Sequence, residues 1–326
     1  MQLKTSGSIV ALFIFALFGC SSSNDDKPSA TGGSSNSSGG ASNASGGSGG
    51  AADTKLTGTF SVDLHPEDMY ATISGQVFDG PQPDAAPLDV ALEQGGCQLL
   101  VPRPVSCTPA CATSSVCTGM NQCTAKPNPK SIGAVHVEGL GNSAIDMDPQ
   151  APAFAYSGPT LSDVYPPCSE GDDIKLTSDA LSITGKCITS LTLGGPTPIP
   201  VTSGKATDLS WTPPGKANIS RVRIRLEISH HGGYKGEIDC ETADTGSFSI
   251  PEPLVTALIA RGVGGYPTIK VTRVSSASAS DAPGVKLEMP SLVERAVDHG
   301  VQSCGGQDAP PCPSGKTCNQ DDRLCH

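Results

Sequence analysis

From Leu56 onward, the apolar residues of this chain recur at every second position. Leu56, Phe60, Val62 and Leu64 share one parity, and Thr57, Thr59, Ser61 and Asp63 hold the other. That is the period of a strand with one buried face. Ala71, Ile73 and Val77 continue it beyond His65 and Pro66. Leu88, Val90 and Leu92 lead through Gly95-Gly96 into Cys97, Leu99 and Val101, a hairpin across a glycine pair able to take positive φ. A second hairpin is expected further on. Val222, Ile224, Leu226 and Ile228 alternate with Arg221, Arg223, Arg225 and Glu227. After His230-His231-Gly232-Gly233, Tyr234, Ile238 and Cys240 alternate with Lys235, Glu237, Asp239 and Glu241. Ile269 and Val271, then Val285, Leu287 and Met289, add further strands.

Helix is scarce. Leu254, Val255, Leu258 and Ile259 stand at helical spacing between Pro253 and Arg261, with Gly262 as a stop. Ser291 with Glu294 three residues on has the form of a capping box, which predicts a second short helix to about His299. With 38 Gly and 28 Pro available for turns, the expected fold is mostly β: an antiparallel β-sandwich body of one or two sandwiches. Gly194 to Pro200 reads as a linker between two sandwiches or as a long loop.

The N-terminus has a different order. Lys4 precedes an uninterrupted apolar run from Ile9 to Phe18, too short for a membrane span of about 20 residues and ordered like an export signal. Leu17-Phe18-Gly19-Cys20 follows, with no A-x-A site nearby. It resembles the lipobox of bacterial lipoproteins, although Phe18 stands where that family prefers a small residue. The resemblance implies cleavage before Cys20, a diacylglycerol thioether on its sulfur, and, with Ser21 rather than aspartate next, the outer membrane. The membrane is therefore an expected partner, reached through the lipid. Gly and Ser dominate the stretch to residue 50, which cannot bury enough surface to become ordered. As a flexible tether it would span on the order of 30 Å.

Thirteen cysteines are present, so an even number remains once Cys20 is set aside, the arithmetic of disulfides in an oxidising compartment. Cys107, Cys111, Cys117 and Cys123 form one module and Cys304, Cys312, Cys318 and Cys325 another, each with a five-residue middle gap and few apolar residues. Such stretches have no core and depend on covalent closure. Zinc is the rival reading, but neither module has a C-x2-C pair, and the only histidine is the terminal His326. No cofactor or metal is expected. In each module the first cysteine is expected to join the third and the second the fourth, although four cysteines allow three pairings. Cys168 would pair with Cys187, and Cys97 with Cys240. Both modules resemble the small cysteine-rich, growth-factor-like repeats of secreted proteins. Ile238-Asp239-Cys240 followed by Asp244-Thr245-Gly246-Ser247-Phe248 resembles β-sandwich lipoproteins of myxobacteria and their relatives, which implies no known function. The expected organisation is a signal at 1–19, a tether at 20–54, strands at 55–102, a cysteine-rich module at 103–127, a β-sandwich body with two short helices at 128–300, and a second module at 301–326.

Candidate chemistry is thin. From residue 55 onward the sequence has no G-x-S-x-G turn, and H-E-x-x-H spacing is missing throughout; no catalytic residue is assigned. His230 and His231 could hold a metal with Glu237 or Asp239, but a solvated turn is the preferred reading. Glu170-Gly171-Asp172-Asp173 lacks the alternating oxygen ligands of an EF-hand. The Arg221, Arg223, Arg225 stripe is spaced to meet a polyanion, or else forms a soluble outer face with Glu227, Glu237 and Asp239 as cross-strand partners. Trp211 shares the parity of Leu209 and is expected in the core. A net charge of −11 argues against nucleic acid. The expectation is a non-catalytic cell-envelope lipoprotein used for surface binding, adhesion or structural contact with a cell-surface or matrix component. The alternative is an envelope hydrolase whose acidic pair meets only in space, and a ligand carrier would require a closed barrel with an apolar cavity.

Overall fold

The computed structural model describes residues 55–229, 233–300, 304, 311–312, 314–319 and 325. The signal, Cys20, the tether, His230, His231 and His326 lie outside the described residues.

The elements in chain order are β1 (Thr57–His65), β2 (Tyr70–Phe78), β3 (Leu88–Gln94), β4 (Cys97–Pro102), β5 (Ser115–Gly119), β6 (Gln122–Ala125), β7 (Val135–Glu138), β8 (Ile145–Met147) and β9 (Tyr156–Ser157). They continue with β10 (Asp173–Thr177), β11 (Ser182–Lys186), β12 (Ile199–Pro200), β13 (Thr207–Ser210), β14 (Arg221–Glu227), β15 (Glu237–Ala243), β16 (Ser247–Ile250), α1 (Glu252–Ile259), β17 (Thr268–Ser278) and β18 (Val285–Asp298). A ten-stranded sheet runs β3-β4-β15-β14-β17-β18-β1-β2-β9, with β12 beside β18. A four-stranded sheet runs β11-β10-β7-β8, and β13-β16 and β5-β6 form ribbons.

Two apolar cores lie on one face of the large sheet. In the first, Phe60, Val62, Ile73, Val285 and Leu287 meet Val135, Val137, Ile174, Leu176 and Ile183 of the four-stranded sheet, a sandwich. In the second, Val222, Ile224, Leu226, Ile269 and Val271 are covered by α1, through Leu254, Val255 and Leu258, and by Leu209, Trp211 and Phe248 around the β13-β16 ribbon. The large sheet is continuous under both.

Between the cores the inward parity of β17 and β18 turns polar. Arg273 and Ser291 are opposite each other in the register and fully buried, and Ser275 is nearly so. Ser275 Oγ donates to the Lys186 carbonyl (2.6 Å), and the Leu191 amide donates to Ser291 Oγ (2.9 Å). Arg273 donates to the carbonyls of Ser190 (3.1 Å) and Thr212 and to Asp244. Asp244 also accepts from Trp211 Nε1 and Ser220 Oγ, each at 2.7 Å. This seam fastens the connection leaving β11 onto the sheet, and every member has a partner, as buried polar groups require.

Turn chemistry explains the local detail. Gly95 and Gly96, at φ +61° and +78°, make the two-residue turn between β3 and β4. Gly75 lies opposite Phe60 in the β1-β2 pair, and the Phe60 ring occupies the space a Cβ would need. Phe60 also packs against Tyr156, with ring centroids 5.4 Å apart. The Tyr156 hydroxyl accepts from the Ile132 amide (2.9 Å) and donates to the Gly133 carbonyl (3.1 Å), fixing the chain where it re-enters the core.

Three expectations are corrected. The helix from Ser291 to about His299 is absent: those residues belong to β18, where Met289, Ser291, Val293 and Val297 all point inward. A buried serine on the strand's apolar parity had the appearance of a cap. The β1-β18 pair is parallel. No turn links these two strands, so no hairpin dictates their direction. Finally, Val90 and Leu92 are exposed, because β3 is an edge strand whose register shifts between them. The segment Gly194 to Pro200 is a loop that adds β12 to the large sheet.

Six disulfides are present: Cys97–Cys240, Cys107–Cys117, Cys111–Cys123, Cys168–Cys187, Cys304–Cys318 and Cys312–Cys325. The two modules share one scheme. In the backbone register Cys117 stands opposite Cys123 across β5-β6, as Cys318 stands opposite Cys325 in an isolated bridge, each bonded to a different cysteine.

Candidate functional site

The outer face of the large sheet carries the polar parity of its strands, and the register aligns it into rows. Gln98, Asp239, Arg225, Lys270 and Glu294 are successive cross-strand neighbours on β4, β15, β14, β17 and β18. Glu241, Arg223, Thr272 and Leu292 form a second row.

The arginines of the stripe are engaged with carboxylates on β15, the adjacent strand, and on β18, one strand beyond β17. Arg225 grips Asp239 with two parallel hydrogen bonds, both 2.9 Å, and lies 3.3 Å from Glu237. Arg223 binds Glu288 through both terminal nitrogens, at 3.1 and 3.4 Å, with Glu241 3.7 Å away. Arg221 pairs with Glu241 at 2.5 Å, and Lys270 approaches Glu294 at 3.9 Å. Hydrogen bonding to Asp239 outweighs partial burial and holds the Arg225 guanidinium well above its ordinary pKa. The stripe is therefore neutralised pair by pair.

A shallow depression of about 520 Å³ lies over this face, lined by residues including Glu93, Gln98, Arg223, Arg225, Lys270 and Leu292. Its carboxylates are engaged: Glu93 accepts from Gln98 (3.2 Å), and Asp239 and Glu241 hold the arginines. A second depression of about 350 Å³, lined by Asp63, His65, Asp68, Thr72, Pro290 and others, meets the first at Leu292. Leu292 is 46% exposed and lines both depressions, an apolar side chain among paired charges.

Glu237 is only 4% exposed, although it stands on the outward parity. Burial, then the charge of Asp239, pushes its carboxyl above the ordinary glutamate value. Burial likewise raises the Tyr234 hydroxyl beyond its usual range, with Glu237 adding to the effect.

Other candidates are dispersed. Glu170 accepts from the Gly215 amide (3.0 Å) and Asp173 pairs with Lys186 (2.5 Å), so two of the acidic residues of that loop are committed to different partners. Among the described residues, the sulfurs of Cys107, Cys111 and Cys117, and of Cys304, Cys312 and Cys325, lie close enough to hold a metal, but all belong to disulfides. Trp211 is in the second core. His136 hydrogen-bonds Asp146 (2.6 Å), which outweighs other influences and raises its pKa. The sequence did not single out Arg273, and it marked Asp244 only as part of a motif resemblance, with no partner. Burial alone would raise the Asp244 carboxyl, but the hydrogen bonds from Arg273, Ser220 and Trp211 prevail and hold it below the ordinary aspartate range. Arg273 does share the parity of Ile269 and Val271, the only trace it left in the sequence.

No protein family, curated protein or solved structure matches the chain.

Proposed function

We propose that this is a non-catalytic, lipid-anchored protein of the bacterial cell envelope, whose stapled β body serves for surface contact or adhesion. The observation that carries this reading is the outer face of the large sheet, a broad surface that no other layer of the described fold covers. The arginines of its stripe are already paired, so they are ordered for contact rather than poised for proton transfer, which calls for a group tuned to the operating pH and within reach of a substrate. Covalently closed modules on a body with its own cores suit an exposed location, where reducing agents are absent. The lipobox-like Leu17-Phe18-Gly19-Cys20 supplies the anchor.

Two measurements test the proposal. Cys20→Ala should move the protein from the detergent phase to the aqueous phase, and partitioning like the parent would remove the anchor from the reading. Screening the purified protein against ester, glycoside, peptide and phosphate substrates should give no turnover. Reproducible turnover abolished by one carboxylate or serine substitution would establish the hydrolase alternative instead.

A further inference from the structure

We propose that the outer face of the large sheet binds a linear, uncharged polysaccharide lying across the strands, its hydroxyls seated on the arginine–carboxylate pairs. This rests on the reading of the body as a contact protein and names the chemistry of its partner.

Shape is the first argument. The depression from Glu93 on β3 to Leu292 on β18 crosses five inter-strand spacings, roughly 24 Å. The second depression extends it over β1 and β2. A trough that is long, shallow and transverse to the strands fits an extended polymer better than a compact ligand, which favours an enclosed pocket.

Charge is the second. A polyanion would gain little here, because each guanidinium it approached already holds Asp239, Glu241 or Glu288. A hydroxyl-rich neutral chain need not break those pairs. A guanidinium has five N–H groups and a carboxylate several lone pairs, and Arg225 spends only Nε and one terminal nitrogen on Asp239. The remaining donors and acceptors lie side by side. A vicinal diol can give one proton to a carboxylate oxygen while its neighbouring oxygen accepts an N–H. Mutual pairing also holds both side chains in place before binding, which lowers the entropy lost on association.

The third is the apolar lining. Leu292, exposed and opposite Thr272 in the register, offers an apolar surface to the C–H face of a sugar ring.

The experiment is native affinity electrophoresis of the full-length protein in detergent, through gels containing a neutral glucan, a neutral galactomannan or the polyanion alginate, together with sedimentation onto purified envelope fragments. At least one neutral polysaccharide should retard the protein, with little dependence on salt. Arg225→Ala and Leu292→Ser should each weaken that retardation roughly tenfold. Leu292 is exposed, so L292S tests the site even if R225A unfolds, and thermal melting identifies that case. Retardation by alginate alone, lost in salt, would overturn the proposal in favour of a polyanion site, and neutral retardation unchanged in L292S would place binding elsewhere. Envelope binding lost in L292S without any response to neutral polysaccharides would overturn the sugar while leaving the contact reading intact. Failure to bind envelope fragments at all would remove both.

Discussion

Between residues 100 and 131 no side chain is buried, whereas Leu99 and Ile132, at either side of this stretch, are both buried. One continuous chain thus uses two ways of holding a shape. The body excludes water from two cores and threads a fully paired polar seam between them. The first cysteine-rich module excludes almost none and relies on Cys107–Cys117 and Cys111–Cys123. Removing one atom group should therefore propagate widely in the body and stay local in the module.

The largest effect is expected at the seam. Asp244→Ala leaves the Arg273 guanidinium buried without its counter-charge, at a cost of about 3–5 kcal/mol. Denaturant unfolding would measure it. The double variant Arg273→Met, Asp244→Leu should recover most of the loss, since well-packed apolar replacements of buried pairs are often tolerated. A loss below about 1 kcal/mol in the single variant would mean that the seam does not couple the cores. Asp244 also has a pH signature. Its folded-state pKa is depressed, so its contribution is present above the unfolded-state value of about 3.9 and disappears as pH falls through the lower folded value.

The next effect is local. Cys111→Ser with Cys123→Ser opens a loop worth roughly 3 kcal/mol in the chain-entropy model. Amide exchange across β5-β6 should rise toward unfolded-chain rates while the cooperative unfolding of the cores persists. If the cores melt with the module, the division between the two regions is wrong.

Glu237 sharpens the comparison from within the body, where its carboxyl is buried. Its folded-state carboxyl is raised, so the ionised form is disfavoured by folding and stability increases as pH falls through the raised value. Glu237→Gln should stabilise the protein at neutral pH, and the advantage should vanish on acidification. Chemical denaturation at several pH values reads both.

The smallest effect belongs to the exposed pair of His136 and Asp146. Asp146→Asn should bring the His136 pKa down toward 6.5, as followed by NMR titration, and change stability by no more than a few tenths of a kcal/mol.

What the sequence revealed follows the same division. Period-two alternation located β1, β2, β14, β15 and β17, because one-sided burial repeats at that period in any sheet. The helix α1 was legible from its spacing and its flanking Pro and Gly. Cysteine order in the modules suggested the pairings present, since few partners lie within reach of a short loop. The outer face was legible as a stripe with cross-strand partners available, but its depression was not, because it depends on sheet order. The pairing of Arg273 with Asp244 was missed for a related reason. A buried charge looks like a surface charge until the backbone carbonyls that satisfy it are brought together, and those of Ser190 and Thr212 come from distant segments. Ser291 misled because its polarity was read as capping rather than as part of the same seam.

The parallel pairing of β1 with β18, Gly58 against Val285, sets a condition on how the protein comes into being. Among the described residues, the first strand and the last strand are neighbours inside the sheet. A chain emerging N-terminus first, from a ribosome or through a membrane pore, holds β1 and β2 without their central support until β18 has appeared, more than 200 residues later, and such distant pairing is slow. A fragment truncated before residue 285 would therefore present an open edge on β1 rather than a smaller finished protein. Such an edge is a template for aggregation, so incomplete chains are expected to need a chaperone or to be degraded.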